Sequence, residues 1–365
     1  MSVERDTVVI TGSSGLIGAA LASRLDLTYD EVGFDLPGEP HPPAHIKCID
    51  LDVTSDSSVQ DGLRQLRAEH GDRIASFIHL AAYYDFKGEP SDKYEAVTVR
   101  GTERLLRGLR DFRVEQFVFS STMLVHAPCE PGQRITEESP LGPTWDYPKS
   151  KVRTEELIRA ERGDVPVVLA RIAGVYTDTG GSIPITNQMQ RIAEKHLTSH
   201  FYPADPSRGQ AFVHLDDLVE AFVRMIERRA QLPPETVLLI GEPETLGYED
   251  IQDSLGWLIH GTEWNTYRIP AVVAKAGAWV QDNLPFGPEP FIKPWMVDRA
   301  GDHFALDITR ARTLLGWEPK HSLRETLPKM VEALKRDPAG WYKANKLDPP
   351  ADLATGTPAG GNDAR

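Results

Sequence analysis

A tyrosine and a lysine four residues apart, Tyr147 and Lys151 in Tyr-Pro-Lys-Ser-Lys, are the strongest chemical signal in this chain. Proline is tolerated in the first turn of a helix, so Pro148 predicts a helix starting here, with residues i and i+4 on one face. A phenol titrates near pH 10 and is a poor base at neutrality. An ammonium about 4 Å away, at an effective dielectric of ~20, favours the phenolate by roughly 4 kcal/mol. The pair therefore predicts a Tyr147 pKa lowered by up to about three units, into the range of general acid–base catalysis. Lys149 points elsewhere, to solvent. Tyr-x-x-x-Lys is also common on surface helices, so other elements must aim it.

Thr122 lies 25 residues earlier, at the end of the apolar run FVFSST. Its hydroxyl is placed to orient a substrate carbinol and to stabilise developing negative charge. Ser121 is the competing candidate and Ser120 adjoins both; strand-end capping is the bland alternative for all three. Near the N-terminus, residues 11–18 read Thr-Gly-Ser-Ser-Gly-Leu-Ile-Gly. They follow an apolar run and open an amphipathic one. Gly12 permits a tight turn, Gly15 lets backbone approach a pyrophosphate, and Gly18 lets helix and strand pack closely. The helix N-terminus offers free N–H groups and partial positive charge to phosphates. A glycine triplet alone is also an ordinary turn, but the next strand ends at Asp35, 17 residues after Gly18. A carboxylate there accepts hydrogen bonds from ribose hydroxyls and repels a 2′-phosphate, which points to NAD rather than NADP. Asp52 and Val53 follow the third strand, where an adenine contact is expected.

Short apolar runs alternate with amphipathic ones through the first half. Strands are expected at 7–11, 31–35, 45–50, 75–82, 115–121 and 165–172, with helices at 15–25, 55–69 and 91–111. Residues 211–229 restore strand-then-helix, and 235–241 add a strand. This alternation predicts an α/β fold, a doubly wound parallel sheet of the Rossmann type, with a smaller, mostly helical C-terminal substrate lobe. The expected division assigns 1–175 and 210–242 to the NAD-binding domain and 176–209 and 243–340 to the substrate lobe. Residues 348–365 are rich in Pro, Ala, Gly and Asp and read as a disordered tail.

The 365 residues are 40% hydrophobic, enough for one large or two modest cores. Against 40 basic residues stand 54 acidic ones, a net charge of −14, which disfavours nucleic acid and anionic membrane as partners. Cys48 and Cys129, the only cysteines, make no disulfide framework and suit a reducing cytoplasmic setting. The N-terminus lacks the long apolar region of a signal peptide, and no run of 18 apolar residues suggests a membrane span. His41, His45 and Cys48 have loosely metal-like spacing but no fourth ligand, so no metal is expected. His79 and His214, at strand ends, read as hydrogen-bonded structural residues. Asp216 and Asp217 read as a helix start, and EALKRDPAGWYKANK as a solvated terminal helix.

In this pattern the chain resembles the extended short-chain dehydrogenase/reductases, also called the NAD-dependent epimerase/dehydratase family. The matching segments are TGSSGLIG, FD at 34–35, HLAA at 79–82, GTERLL at 101–106, FVFSST, YPKSK, AR at 170–171, FVHLDDL at 212–218 and LDITRARTLLGWEP at 306–319. The resemblance implies cofactor contacts from Gly12, Ser14, Gly15, Leu16, Ile17, Gly18, Asp35, Asp52, Val53, Leu80, Ala81, Ala82, Tyr147 and Lys151. It implies a catalytic set of Thr122, Tyr147 and Lys151, and a homodimer through helices 91–111 and 147–162. Departures exist: Thr98 stands where many members have Asn, Thr122 where Ser is frequent, and His126-Ala127 where Tyr-Gly is usual.

The resemblance leaves the substrate open. Nucleotide-sugar members often hold the diphosphate with an Arg just before the FVH segment; here those positions are Gln210 and Ala211, and Arg208 is two residues early. A second phosphate-binding feature, Arg-x-Gly-Asp, is present as Arg299, Gly301 and Asp302. Gly174 stands where sugar epimerases commonly have Asn. The runs IPAVVAKAGAWV (269–280) and EPFIKPWMV (289–297) look instead like the hydroxysteroid-dehydrogenase and dihydroflavonol-reductase branch, where an apolar helix lines a site for hydrophobic alcohols or ketones; a plain core helix is the alternative. Tyr83, Tyr84 and Phe86 follow the fourth strand and are expected to rim the substrate site. The expectation is hydride transfer at a carbinol carbon of a nucleotide-sugar-like substrate. A dehydrogenase of hydrophobic alcohols is the alternative, and a non-catalytic NAD-sensing module the second.

Overall fold

The computed structural model describes residues 5–26, 28–38, 46–85, 88, 90–282 and 293–354. His41, His45 and Phe86 lie outside these residues, as does the stretch 355–365 of the expected tail. The chain forms two compact units. The first comprises 1–174, 210–245 and 303–320; the second comprises 175–209, 246–302 and 321–365. Residues 303–320, which the sequence pattern grouped with the C-terminal lobe, thus belong to the first unit.

The first unit is built on seven parallel strands: β1 (Thr7–Thr11), β2 (Asp30–Asp35), β3 (Lys47–Asp50), β4 (Ser76–His79), β5 (Phe117–Thr122), β6 (Val167–Ile172) and β7 (Glu235–Ile240). Their order across the sheet is β7-β6-β5-β4-β1-β2-β3, the doubly wound arrangement. Helices α1 (Leu16–Leu25), α2 (Asp56–His70), α3 (Arg100–Leu109), α4 (Asp146–Glu161) and α5 (Leu215–Glu227) cover the sheet. The winding reverses between β1 and β4. Open α/β sheets bind ligands outside the carboxyl ends of their strands at such a reversal, which is where Gly12, Asp35, Leu80 and Thr122 stand.

The strands read as continuous apolar runs because both faces are covered. Val32 and Phe34 of β2, Phe77 of β4 and Phe117 and Phe119 of β5 pack with Val59, Leu63 and Leu66 of α2 and Leu105, Leu106 and Leu109 of α3. Phe77 and Phe117 stack with ring centroids 5.5 Å apart. Each such side chain contributes about 1.5–3 kcal/mol by leaving water. The helix expected at 91–111 begins as a π-helical turn over Tyr94–Val99 before α3 continues it. α5 starts as anticipated: His214 Nδ1 accepts from Asp216 N at 3.2 Å, and Asp216 and Asp217 occupy the first turn.

One buried group opposes folding. Glu31, opposite Val8 in the β1–β2 register, is buried, and neither of its carboxylate oxygens has a hydrogen-bond partner among the described residues. Burial, with Asp26 and Asp30 nearby, pushes its pKa up to about 8 from the ordinary 4.5. The unfolded chain therefore loses this proton near pH 4.5 while the folded protein keeps it. This group lowers stability as pH rises through that window, by up to about 1.4 kcal/mol per pH unit, and the loss levels off above pH 8. Glu31→Gln is expected to flatten the pH dependence of urea unfolding between about pH 5 and 8. A parent curve already as flat as the variant's would show that the carboxyl is hydrated.

The second unit is mainly helical, with Ile183–Ala193, Tyr248–His260, Ala271–Asp282, Pro294–Arg299, Leu323–Arg336 and Pro338–Ala344. Phe201–Tyr202 pairs in parallel with Tyr267–Arg268. The stretch EALKRDPAGWYKANK is not a solvated helix. Asp337 interrupts it and caps a new helix by accepting from Gly340 N at 2.9 Å, and this turns Trp341 and Tyr342 inward, 3% and 2% exposed. A short helix, Ala351–Ala354, stands within the expected tail. No helix of the described residues is long and apolar enough to cross a membrane.

Candidate active site

The glycine turn after β1 is built by sterics. Gly12 has φ +70°, a conformation side chains rarely adopt, and its N–H donates to Phe34 O at 2.8 Å. A Cβ on Gly18 would lie 2.2 Å from Gly12 O and 2.8 Å from Ser13 Cα, so α1 approaches β1 only because Gly18 is glycine. Gly15 differs: its φ is −74°, and a Cβ there would meet only Gly12 O, at 3.3 Å. Asp35, at the tip of β2, is oriented by two backbone donors, Ser14 N at 2.7 Å and Leu36 N at 2.8 Å. Gly33 was not singled out from the sequence, yet a Cβ there would lie 2.5 Å from Ser13 Oγ, so the turn packs down on β2 at this residue. Asp52 is tied locally, accepting from Thr54 N at 2.8 Å and Thr54 Oγ1 at 2.7 Å. Val53 is buried beneath Gly101 of α3, where a Cβ would come within 2.9 Å of it.

β4 ends in a hydrogen-bonded chain. His79 Nε2 lies 2.9 Å from Thr102 Oγ1, whose own proton goes to Thr98 O at 2.6 Å. Nε2 must therefore donate, and Nδ1 accepts from Thr11 Oγ1 at 2.7 Å. Burial, then the charge of Lys151, lowers the His79 pKa to about 3, so this histidine is the neutral, structural residue its strand-end position implied. Thr11 Oγ1 in turn accepts from Ala81 N at 3.1 Å, which sets the course of the Leu80–Ala82 segment over the glycine turn. Thr98, on the π-helical turn, accepts from Tyr83 N at 3.1 Å.

β5 divides its terminal hydroxyls between two faces, as alternating side chains must. Thr122 and Ser120 stand on one face: Thr122 lies beside the Tyr147 phenol and acts to lower its pKa, and Ser120 Oγ donates to His79 O at 3.1 Å. Ser121 turns the other way and donates to buried Glu155 at 2.6 Å. Of the two candidates to orient a carbinol, the structure places Thr122 beside the phenol and engages Ser121 elsewhere.

Tyr147 and Lys151 share a face of α4 as anticipated, with Lys149 exposed and 3.8 Å from Asp146. Their electrostatics correct the sequence expectation. Lys151 Nζ donates to Ser120 O at 2.6 Å and sits 4.7 Å over the Phe119 ring and 5.7 Å from the Tyr147 ring centre. Burial is the largest influence on both groups. It pushes the Tyr147 phenol above its ordinary pKa, against the lowering influence of Thr122, and pushes Lys151 down to about 7. Loss of hydration thus outweighs the attraction expected of the pair.

Aromatic rings surround the phenol. Tyr84 meets Tyr147 edge-on at 4.8 Å and Trp145 lies at 5.4 Å. Tyr83, named with Tyr84 from the sequence, packs on Tyr94 at 4.9 Å, with its hydroxyl 3.4 Å from Asp85. Trp145 was missed, although its place two residues before Tyr147 puts it at the helix N-cap.

In the second unit, Arg299 Nη1 lies 3.9 Å from Asp302 Oδ2, and Arg208 Nη1 donates to Gly301 O at 3.2 Å. Arg208 and the Arg-x-Gly-Asp turn therefore come together, which their separation in sequence concealed. Burial raises the Asp302 pKa against the opposing effect of both arginines. In the helix Ala271–Asp282, Val272 and Val273 are 78% and 58% exposed, so these residues do not make it a core helix.

Residues 8–241 match the family described as the NAD dependent epimerase/dehydratase family. The chain is 28% identical over 337 residues to a UDP-glucose 4-epimerase of Mycolicibacterium smegmatis, covering 89% of this chain and 97% of that one. It is 25% identical over 365 residues to a 3 beta-hydroxysteroid dehydrogenase/Delta 5-->4-isomerase of Mycobacterium tuberculosis, covering 92% and 93%. Among solved structures, the Thermus thermophilus UDP-glucose 4-epimerase in complex with NAD superposes with a TM-score of 0.68 at 18% identity, over 90% of this chain and 99% of that one, a likeness of fold.

Proposed function

Since the chain belongs to the NAD dependent epimerase/dehydratase family and its cofactor is NAD, we propose that it transfers hydride at a carbinol carbon of a nucleotide-sugar-like substrate, with Tyr147 as acid/base. The residues fit the dinucleotide: a glycine turn whose middle glycine leaves room for a pyrophosphate, and an Asp35 carboxylate held by backbone donors for ribose hydroxyls. NAD supplies the site that accepts or returns the hydride. The chain supplies the proton chemistry, and the carrying observation is the placement of Thr122 and Lys151 about the Tyr147 phenol. A carbinol oxygen bound between the two hydroxyls exchanges its proton with Tyr147 while Thr122 holds its orientation. Burial keeps the phenol protonated, so Tyr147 is ready to donate to a carbonyl oxygen. In the oxidising direction it must first lose its proton, and Lys151 favours that loss when charged.

The nucleotide-sugar reading draws on Arg208 and Arg299 gathered at one turn of the second unit, where they suit a diphosphate. Exposed Val272 and Val273 and the aromatic ring set at Tyr147 favour a second reading, a dehydrogenase of hydrophobic alcohols. NADH absorbance measured with a panel of nucleotide sugars and sterols, together with product analysis for redox-neutral turnover, separates the two. Absence of any turnover across both classes, with NAD bound, would reject both readings. A homodimer through the helices at 91–111 and 147–162 belongs to the same proposal. Arg100, Glu103, Arg107 and Arg153 on these helices pair within the chain, so such a dimer is expected to depend little on salt. Sedimentation showing a dimer that dissociates as salt rises would place the contact elsewhere.

A further inference from the structure

Tyr147, Lys151 and Glu155 follow one another at intervals of four along α4, so phenol, ammonium and carboxylate are stacked on one helix face. Glu155 is fully buried. Its Oε1 accepts from Ser121 Oγ at 2.6 Å and Arg171 Nε at 3.0 Å, and its Oε2 accepts from Arg171 Nη2 at 2.7 Å. Arg171, on β6, spends its remaining donor on Glu137 O at 3.1 Å and His126 Nε2 at 2.9 Å. Since a guanidinium only donates, His126 accepts at Nε2 and carries its proton on Nδ1, which donates to Ser139 O at 3.0 Å. Burial and Arg171 hold the His126 pKa down to about 4, so the network contains one fully buried negative charge and one fully buried positive charge.

A buried ion pair is a weak source of stability, because apolar residues of the same volume serve as well. The orientation of this one points to another use. Its carboxylate end lies on the helix that carries Lys151, one turn away, and its guanidinium end lies on a strand. Lys151 has left water and keeps the Ser120 carbonyl and the Phe119 ring as its contacts. The charged and titratable groups around it are Tyr147, Glu155 and Arg159 on α4, neutral His79 on β4, Arg171 on β6 and Tyr84 after β4. Of these, Glu155 is the one that favours the ammonium.

We propose that Glu155 is a positioning residue for Lys151: clamped by Arg171 and bonded to Ser121, it ties α4 to the end of β5 and fixes a negative charge one helical turn from the ammonium beside Tyr147. The proposal rests on the assignment of Tyr147 and Lys151 as the acid/base pair.

The test is NAD affinity measured calorimetrically as a function of pH. The parent is expected to show a break near pH 7 that vanishes in Lys151→Met and so belongs to Lys151. In Glu155→Gln the break is expected to move down by at least about one pH unit, because the near carboxylate is gone and Arg171 is left uncompensated. That variant leaves a buried charge unpaired and can fail to fold. Glu155→Gln/Arg171→Gln leaves none, and its break is expected to move in the same direction by a smaller amount. A break at the parental pH in the double variant, accompanied only by a lower melting temperature, would make the pair purely structural and overturn the proposal. A break that persists in Lys151→Met overturns it as well. Failure of the underlying acid/base assignment looks different: absence of saturable NAD binding, or undiminished turnover in Tyr147→Phe, whatever Glu155 does.

Discussion

Tyr147→Phe is expected to retain NAD binding and to lose turnover by about 10²–10⁴-fold, the usual contribution of a positioned acid/base. At the middle of that range the loss corresponds to about 4 kcal/mol of transition-state stabilisation. The variant removes one oxygen and keeps the ring that Tyr84 and Trp145 pack against at 4.8 and 5.4 Å, so the fold loses little. Direction of reaction sharpens the expectation. With burial holding the parental phenol protonated and Lys151 at about 7, reduction is expected to run without a prior proton loss, whereas oxidation is expected to accelerate as pH rises toward the phenol's raised pKa. Turnover in Tyr147→Phe equal to the parent's, measured as steady-state NADH formation or consumption, would remove Tyr147 from the mechanism.

The second large effect is expected at the glycine turn, and it separates two glycines that look alike in sequence. A Cβ on Gly18 would sit 2.2 Å from Gly12 O, a distance no relaxation of a flexible side chain can relieve, because both neighbours are backbone. Gly18→Ala is expected to cost about 1–3 kcal/mol of stability by overpacking and to weaken NAD binding at least about tenfold, since the turn and the α1 N-terminus must separate. Gly15→Ala has only a 3.3 Å approach to Gly12 O and an ordinary φ, so the fold is expected to tolerate it while NAD affinity falls. Thermal melts and NAD titrations of the two variants check this. Equal affinity in parent and Gly15→Ala would mean that no phosphate approaches that backbone.

The sheet was legible because its strands are short apolar runs between helices, and each of the seven appears where an apolar run stands. The glycine turn and the Tyr147/Lys151 face were legible because local spacing decides them. What depended on neighbours far along the chain was not. The π-helical turn at Tyr94–Val99 carries no local signature, and the burial of Trp341 and Tyr342 follows from Asp337 starting a new helix rather than from polarity of the stretch. The direction of the Tyr147 shift was misread because a pairwise Coulomb argument omits the hydration the phenol loses on folding. Glu155 and Arg171 were each visible in sequence, but nothing local joins a helix residue to one sixteen positions later on a strand. Arg208 and Gly301 are the same case over a longer separation.

The division of labour among Ser120, Ser121 and Thr122 has an evolutionary corollary. A strand assigns its side chains by odd and even position, so inserting or deleting a single residue just upstream of Phe117 would exchange the roles of the whole triplet at once. The buried carboxylate would lose its hydroxyl in the same event that stranded the phenol. Point substitutions at this strand end alter one role at a time, whereas length changes exchange all of them, and lineages that diversify their substrates are expected to place their indels in the loop after Thr122 and to leave the run before it untouched.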